Sequence, residues 1–292
     1  MSSTLASVAH AAMRRTLRIA AMTHLLVQLS DTHIRAPGEL AYRRVDTADH
    51  LKAAVQAVLR LPQAPLAVLM TGDLVDDGSA AAYAHLRELL APLRCPLYLM
   101  PGNHDDRERL REAFPEQAAL KQCGPGSFVQ YEVTLPSLRL LTLDTVVPGA
   151  SHGGLCAQRL AWLDEALARE PGMPTMVAMH HPPFDSHLGW MDRIGLRQGA
   201  PELARVLARH PQVHRVVCGH LHRSAQRRWA GTLVQTAPST AHQTWLSLAP
   251  EGGDGWGREP PGFLVHAWHT GDDLVSHLAF SQASEGPYRF RE

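Results

Sequence analysis

The sequence predicts a layered α/β domain, on three observations. From residue 24 onward, short apolar runs alternate with amphipathic stretches, as when strands feed helices that return the chain to a neighbouring strand. Five of the apolar runs end in clusters of His, Asp and Asn. The 292 residues, 45% hydrophobic and 19% charged, suffice for one large core, and no linker divides them.

Residues 24–29 (HLLVQL) read as a buried strand followed by Ser30-Asp31-Thr32-His33. Side chains two apart in an extended chain point the same way, so Asp31 and His33 can reach one ion together. Asp46 or Thr47 then caps a helix to about residue 60, with Leu51, Ala54, Val55, Val58 and Leu59 on its apolar face. A strand over 66–70 ends at Thr71-Gly72-Asp73, where Gly72 lets the backbone come close to whatever Asp73 binds. A helix over 79–90 leads to a strand starting at Leu97 that ends in Pro101-Gly102-Asn103-His104-Asp105. Residues 127–143 read as two strands with a turn at Pro136-Ser137, followed by a helix over 158–169. The strand 175–179 ends at His180-His181-Pro182-Pro183. A helix over 200–209 returns the chain to 213–218, which ends at Gly219-His220-Leu221-His222.

Residues 225–229, 232–236, 263–268 and 274–280 read as strands of a mostly antiparallel terminal sheet, with 242–261 between them as a loop holding Trp245 and Trp256. The domain is expected over 24–283, after an extension 1–23 and before a tail 284–292, with 242–261 as a cap or the contact of a homo-oligomer. Arg14, Arg15 and Arg18 would suit a targeting helix, but no long apolar region follows them, and Met22 is an alternative start.

Composition narrows the function. Lys+Arg 28 balances Asp+Glu 28, so no global positive field would hold a nucleic-acid polymer or an anionic membrane, and a small anionic substrate fits better. No run approaches the ~20 apolar residues of a membrane span. Cys95, Cys123, Cys156 and Cys218 are far apart and form no C-x-x-C pair, which points to a reducing cytoplasm.

The five strand ends gather at one edge, because ligands of α/β sheets sit at the carboxyl ends of strands. Without His104 and one of the adjacent pair His180/His181, they offer two Asp, one Asn and four His. That is too many donors for one ion and few enough for two that share a carboxylate. Two metals about 3.5 to 4 Å apart clamp the attacking and leaving oxygens of an in-line displacement at phosphorus. Imidazole, carboxylate and amide oxygen without thiolate favour Mn, Fe, Co or Zn. Asp76 and Asp77 read as loop or capping carboxylates, Asp105 as an organiser of its loop, and Arg35, Arg43, Arg44, Arg107 and Arg223 as solvated surface.

As a set, Asp31-Thr32-His33, Gly72-Asp73, Gly102-Asn103-His104-Asp105, His180 and Gly219-His220-Leu221-His222 resemble the calcineurin-like metallophosphoesterases over about residues 24 to 240. Leu143-Asp144-Thr145, the His-His-Pro-Pro run, Thr240-Ala241-His242-Gln243 and the Pro-Gly-Phe-Leu-Val-His strand are most similar to the bacterial class III cyclic-nucleotide phosphodiesterases and glycerophosphodiesterases. The resemblance implies a four-layer αββα sandwich, two mixed sheets flanked by helices. It also implies one metal on Asp31, His33, Asp73 and His222 and another on Asp73, Asn103, His180 and His220, bridged by Asp73. His180 is preferred to His181 because it directly follows its strand, which leaves His181 to shape the substrate pocket.

By the same resemblance a metal-bridging hydroxide attacks phosphorus, with Asp73 and His104 catalytic and His104 stabilising the phosphoryl charge or protonating the leaving alcohol. Asn103, His104, His181 and His242 are expected against the substrate, a small phosphodiester such as a 3',5'-cyclic nucleotide or a glycerophosphodiester. Two divalent ions, two carboxylates and a hydroxide leave a site of about +1, which suits an anionic phosphate. The competing readings are a phosphomonoesterase or nucleotidase with the same metals, and a scaffold that has lost catalysis. The intact ligand set argues against the scaffold. A monoesterase would need extra cations on the walls, where only Arg193, Arg197 and Arg258 could serve.

Overall fold

A computed structural model describes residues 23–124, 126–249, 253–271 and 274–291. The extension up to Met22, with Arg14, Arg15, Arg18 and the alternative start, lies outside the described residues. The first sheet has the order β15-β14-β1-β2-β3. Its parallel centre is β1 (His24–Leu29), β2 (Ala67–Thr71) and β3 (Leu97–Met100), joined by helices α1 (Thr47–Leu59) and α2 (Ala80–Leu90). The Asp46 and Ser79 side chains cap these helices by accepting from the Asp49 and Ala82 backbone N–H groups.

After α3 (Arg107–Ala113) and α4 (Ala118–Lys121), neither evident in the sequence, the chain enters a second sheet. Its order is β10-β11-β9-β7-β5-β4. The strands are β4 (Glu132–Leu135), β5 (Leu138–Leu143), β7 (Thr175–Met179), β9 (Val213–Cys218), β10 (Ala225–Trp229) and β11 (Thr232–Thr236), with α5 (Ala157–Arg169) and α7 (Ala200–Ala208) as crossovers. A short helix α6 (Gly189–Arg193) and the two-stranded pairs β6 (Gly153–Gly154) with β8 (Leu196–Gln198) and β12 (Gln243–Thr244) with β13 (Trp256–Gly257) lie outside the two main sheets.

Alternation within the strands builds the four layers. Leu26, Ala67 and Leu69 of the first sheet meet Leu138, Leu140, Met176, Ala178 and Val217 of the second in a core between the sheets. The opposite faces pack outward. Val27, Leu29, Val68 and Met70 bury against α1 and α2, while Leu141, Leu143, Val177, Met179, Val216 and Cys218 bury against α5 and α7. Strands covered on both faces read as unbroken apolar runs, which is why they are legible in the sequence.

The four terminal strands pair mostly antiparallel, as expected, but they do not form one terminal sheet. β10 and β11 extend the second sheet, β11 parallel to β9. β14 (Gly262–Trp268) pairs antiparallel with β1, and β15 (Val275–Phe280) follows it at the edge of the first sheet. Each segment covers a strand edge left open by the preceding fold, so pairing is decided by available edges and not by sequence proximity.

A buried polar chain ties the sheets together near the strand ends. Gln28 on β1 donates through Nε2 to Thr71 Oγ1 at 2.9 Å and to the Cys218 carbonyl of β9 at 3.0 Å. Its Oε1 accepts from His266 Nε2 at 3.0 Å, leaving His266 Nδ1 to accept from Ser276 Oγ at 2.7 Å. Burial, reinforced by the Arg215 charge, pushes His266 down to about 3, so the folded protein keeps it neutral. A histidine with a depressed pKa adds stability above its ordinary value of 6.5 and loses it as pH falls towards 3. Between pH 7 and 5 this group should remove about 2 kcal/mol of unfolding free energy. In urea titrations His266→Gln, which keeps both hydrogen bonds without a titrating ring, should lose about that much less than wild type, and parallel losses would refute the assignment.

Candidate metal centre

The expected site residues meet where the carboxyl ends of the two sheets abut. Close approach is built into the backbone. A Cβ on Gly72, which has φ +89°, would overlap the His180 ring, and one on Gly219 would overlap Ser30 and Asp31. Asp31, His33, Asp73, His220 and His222 all have φ between +44° and +69°, the left-handed region that non-glycine residues rarely adopt. Five strained positions at one point mark a functional site held by its surroundings.

The ring orientations are fixed from outside. His33 Nδ1 faces Asp76 Oδ1 at 3.1 Å, His180 Nδ1 the Thr71 carbonyl at 2.8 Å, and His222 Nδ1 the His242 carbonyl at 3.0 Å. Each acceptor engages Nδ1 and turns Nε2 inward, the usual orientation of ligating histidines. The inward atoms converge: His33 Nε2 lies 3.1 Å from His222 Nε2, and His180 Nε2 lies 3.2 Å from Asn103 Oδ1 and 3.3 Å from Asp73 Oδ2. His220 Nε2 is buried without a partner among the described residues. Imidazole, carboxylate and amide-oxygen donors gathered at such distances can take ions in place of the protons they share, so this donor set fits metal ions.

Asp31, His33, Asp73 and His222 bring ligand atoms within 4.8 Å of one another, as do His180, His181 and His220, and also His33, His222 and His242. Electrostatics prepare the members of these groups unevenly. Burial opposes ionisation of Asp73, but the charges of His180 and His104 hold its carboxyl well below the usual carboxylate range. Burial alone would lower His180, yet Asp73 lifts it to about 9. Burial lowers His222 to about 4 despite Asp31, and drives His220 far down. Two imidazoles thus stand ready as neutral ligands, whereas His180 must release a proton to an arriving ion.

His104 differs from these rings. Its Nδ1 donates to the Asp76 carbonyl at 2.7 Å, its backbone N–H donates to Asp73 Oδ1 at 2.9 Å, and its side chain is 37% exposed at the cleft. Asp105 lies behind it, accepting from Gly102, Leu74, Val75 and the Tyr83 hydroxyl, and its burial beside Asp73 pushes it up to about 6.

Other expectations need correction. His181 is fully buried, its Nδ1 bonds to Thr145 Oγ1 at 2.8 Å and its Nε2 to the Ser151 carbonyl at 3.2 Å, so it does not face the cleft as a substrate contact. Asp76 is no simple loop carboxylate, because it holds His33 and is itself held by Arg35. Burial would raise the Asp76 carboxyl, but these partners bring it to about 2. Arg107 and Arg223 are likewise paired, with Asp144 and Glu259.

The cleft over the centre has a volume of about 270 Å³, close to the lower end of the range of small-molecule sites. Besides site residues it is walled by Tyr42, His242, Thr244, Asp254, Gly255 and Trp256, with Ser151, Trp190, Met191 and Ile194 among its other lining residues. Tyr42 carries no signal in the sequence, whereas Trp256 lies in the 242–261 segment expected as a cap or oligomer contact.

The pattern of the calcineurin-like phosphoesterase family matches residues 24–224. A probable glycerophosphodiester phosphodiesterase of Arcobacter nitrofigilis is 34% identical over 91% of this chain and 96% of its own length. A probable cyclic nucleotide phosphodiesterase of Rhodopseudomonas palustris is 37% identical over 86% of this chain and 90% of its own. The fold is similar to that of a dimetal phosphatase from Danio rerio, with a TM-score of 0.63 and 16% identity over 89% of this chain and 96% of that one.

Replacing Asp76 by Ala frees His33 to rotate or change tautomer. Calorimetric titration with Mn²⁺ should then show affinity reduced by roughly 10- to 100-fold with the circular dichroism spectrum retained, and unchanged affinity would show that the Asp76 contact does not orient a ligand.

Proposed function

Because the chain belongs to the calcineurin-like phosphoesterase family, it is a metal-dependent phosphodiesterase, and we propose that it hydrolyses small phosphodiesters at a two-ion centre in the cleft described above. One ion would be held by Asp31, His33, Asp73 and His222 and the other by Asp73, Asn103, His180 and His220, with Asp73 shared. Bound there, Mn, Fe, Zn or Co would supply Lewis-acid charge and the means to deprotonate water near neutral pH. The chain's own residues supply orientation and a proton. The Asp76 carbonyl accepts from His104 Nδ1 and steadies the ring at the cleft, where a proton on Nε2 can pass to the leaving alkoxide. The Asn103 amide, whose Oδ1 faces His180, keeps its NH₂ group for a phosphoryl oxygen. The four cysteines, all free, fit a reducing cytoplasmic setting; among the described residues no helix is long and apolar enough to cross a membrane.

Selection of diesters over monoesters rests on one observation: no Lys or Arg lines the cleft among the described residues. Arg193 lies over the Trp190 ring at 5.2 Å, and Arg258 donates to the Arg44 carbonyl at 2.8 Å. A monoester dianion would find no additional cation for its second charge. With Mn²⁺ at one pH, kcat/KM should be higher for bis(p-nitrophenyl) phosphate than for p-nitrophenyl phosphate, and a clear monoester preference would refute this selection. For alkoxide leaving groups, His104→Ala should lower kcat by roughly 10²-fold or more while metal content is kept. The loss should be smaller for nitrophenolate, which needs no proton. Equal losses would assign His104 a purely electrostatic role.

A further inference from the structure

One wall of the cleft is aromatic and built with care. Tyr42 sits at the tip of a turn in which Tyr42 and Arg43 both have positive φ, +50° and +56°. A tyrosine in that conformation is strained. The strain is held by reciprocal backbone bonds of 2.9 Å between Ala41 and Val45, whose side chains pack with Ala241 and Trp256 in a small core of their own. The turn thus carries Tyr42, 50% exposed, against Trp256 with ring centroids 5.2 Å apart and planes 31° from parallel. His242 meets both rings edge-on, at 5.1 and 5.6 Å. Its residue is only 2% exposed, yet neither ring nitrogen has a partner among the described residues.

A glycerol substituent gives such a wall nothing to stack. A flat heteroaromatic base gains dispersion and π contact from it and leaves His242 to bond a sugar hydroxyl. A quaternary ammonium group such as choline is the rival, since aromatic cages bind it. A cage needs several ring faces turned on one point. Here Tyr42 and Trp256 turn faces on each other, and the facing Trp190 already carries the Arg193 guanidinium. Resting on the phosphodiesterase reading above, we propose that Tyr42, His242 and Trp256 form a nucleobase platform, and that the substrate is a nucleoside 3',5'-cyclic phosphate in preference to a glycerophosphodiester.

The test compares cyclic AMP, abasic ribose 3',5'-cyclic phosphate and glycerophosphocholine on the Mn²⁺ enzyme, wild type and with Tyr42→Ala, Tyr42→Phe and Trp256→Leu. Cyclic AMP should be the best of the three. Its kcat/KM relative to the abasic diester should fall about tenfold or more in Tyr42→Ala and Trp256→Leu, chiefly through KM, and be restored in Tyr42→Phe. Independently of turnover, adenosine should quench tryptophan fluorescence of the metal-free wild type and do so more weakly in Trp256→Leu. Glycerophosphocholine as the better substrate, or equal losses on cyclic AMP and the abasic diester, would overturn the platform while leaving the phosphodiesterase reading intact. If no diester, bis(p-nitrophenyl) phosphate included, is hydrolysed, the phosphodiesterase reading fails instead, and adenosine quenching still decides whether the wall binds a base.

Discussion

The site depends on where three imidazole protons point. Asp76, the Thr71 carbonyl and the His242 carbonyl each draw the Nδ1 side of a histidine outward, so that the Nε2 atoms of His33, His180 and His222 turn inward. Were any of these acceptors missing, the corresponding ring could rotate and satisfy itself with a neighbour, and the convergence of donor atoms would relax. The acceptors come from three different segments: the loop after β2, the end of β2, and the chain entering β12. The donor set is therefore a property of the assembled sandwich and not of any one motif.

The assembled sandwich carries its own cost at this point. Five residues at the strand ends adopt left-handed backbone conformations, and glycines at 72 and 219 let chains meet closer than any side chain would permit. Such strain persists only where the surroundings over-determine it. Here the Gln28 chain to Thr71 and Cys218 locks the two sheets immediately below the site, and the His220 backbone N–H donates to Asp31 Oδ1 at 2.9 Å. Within this chain from Gln28 the buried polar groups meet their partners, and that fixes the geometry beneath the site.

The floor of the site was legible in the sequence, whereas much of its support and of its wall was not. Asp31, His33, Asp73, Asn103, His180, His220 and His222 all follow apolar strands, so strand position alone places them at one edge. Asp76 lies three residues beyond Asp73 on an irregular segment, and only the three-dimensional path shows that it turns back to His33. Tyr42 is harder still. No periodicity marks a five-residue turn, and its importance lies in a positive φ that a tyrosine gives no reason to expect. His181 erred in the opposite direction, because adjacent histidines look equivalent until Thr145 and Ser151 take both nitrogens of one of them.

The difference between floor and wall also explains how a common centre can be selective. A two-ion floor of about +1 attracts any phosphate ester, so it cannot by itself distinguish a monoanion from a dianion. Among the described residues, however, no Lys or Arg lines the cleft, so once the first negative charge offsets the site a second finds no guanidinium or ammonium to face. Bringing that second charge out of bulk water then costs more than it regains, since a partly desolvated charge needs a full set of partners. Discrimination against dianions thus requires no repulsive group. It would follow from what the wall withholds, while the proposed platform at Tyr42 and Trp256 would offer contact to the second substituent of a diester.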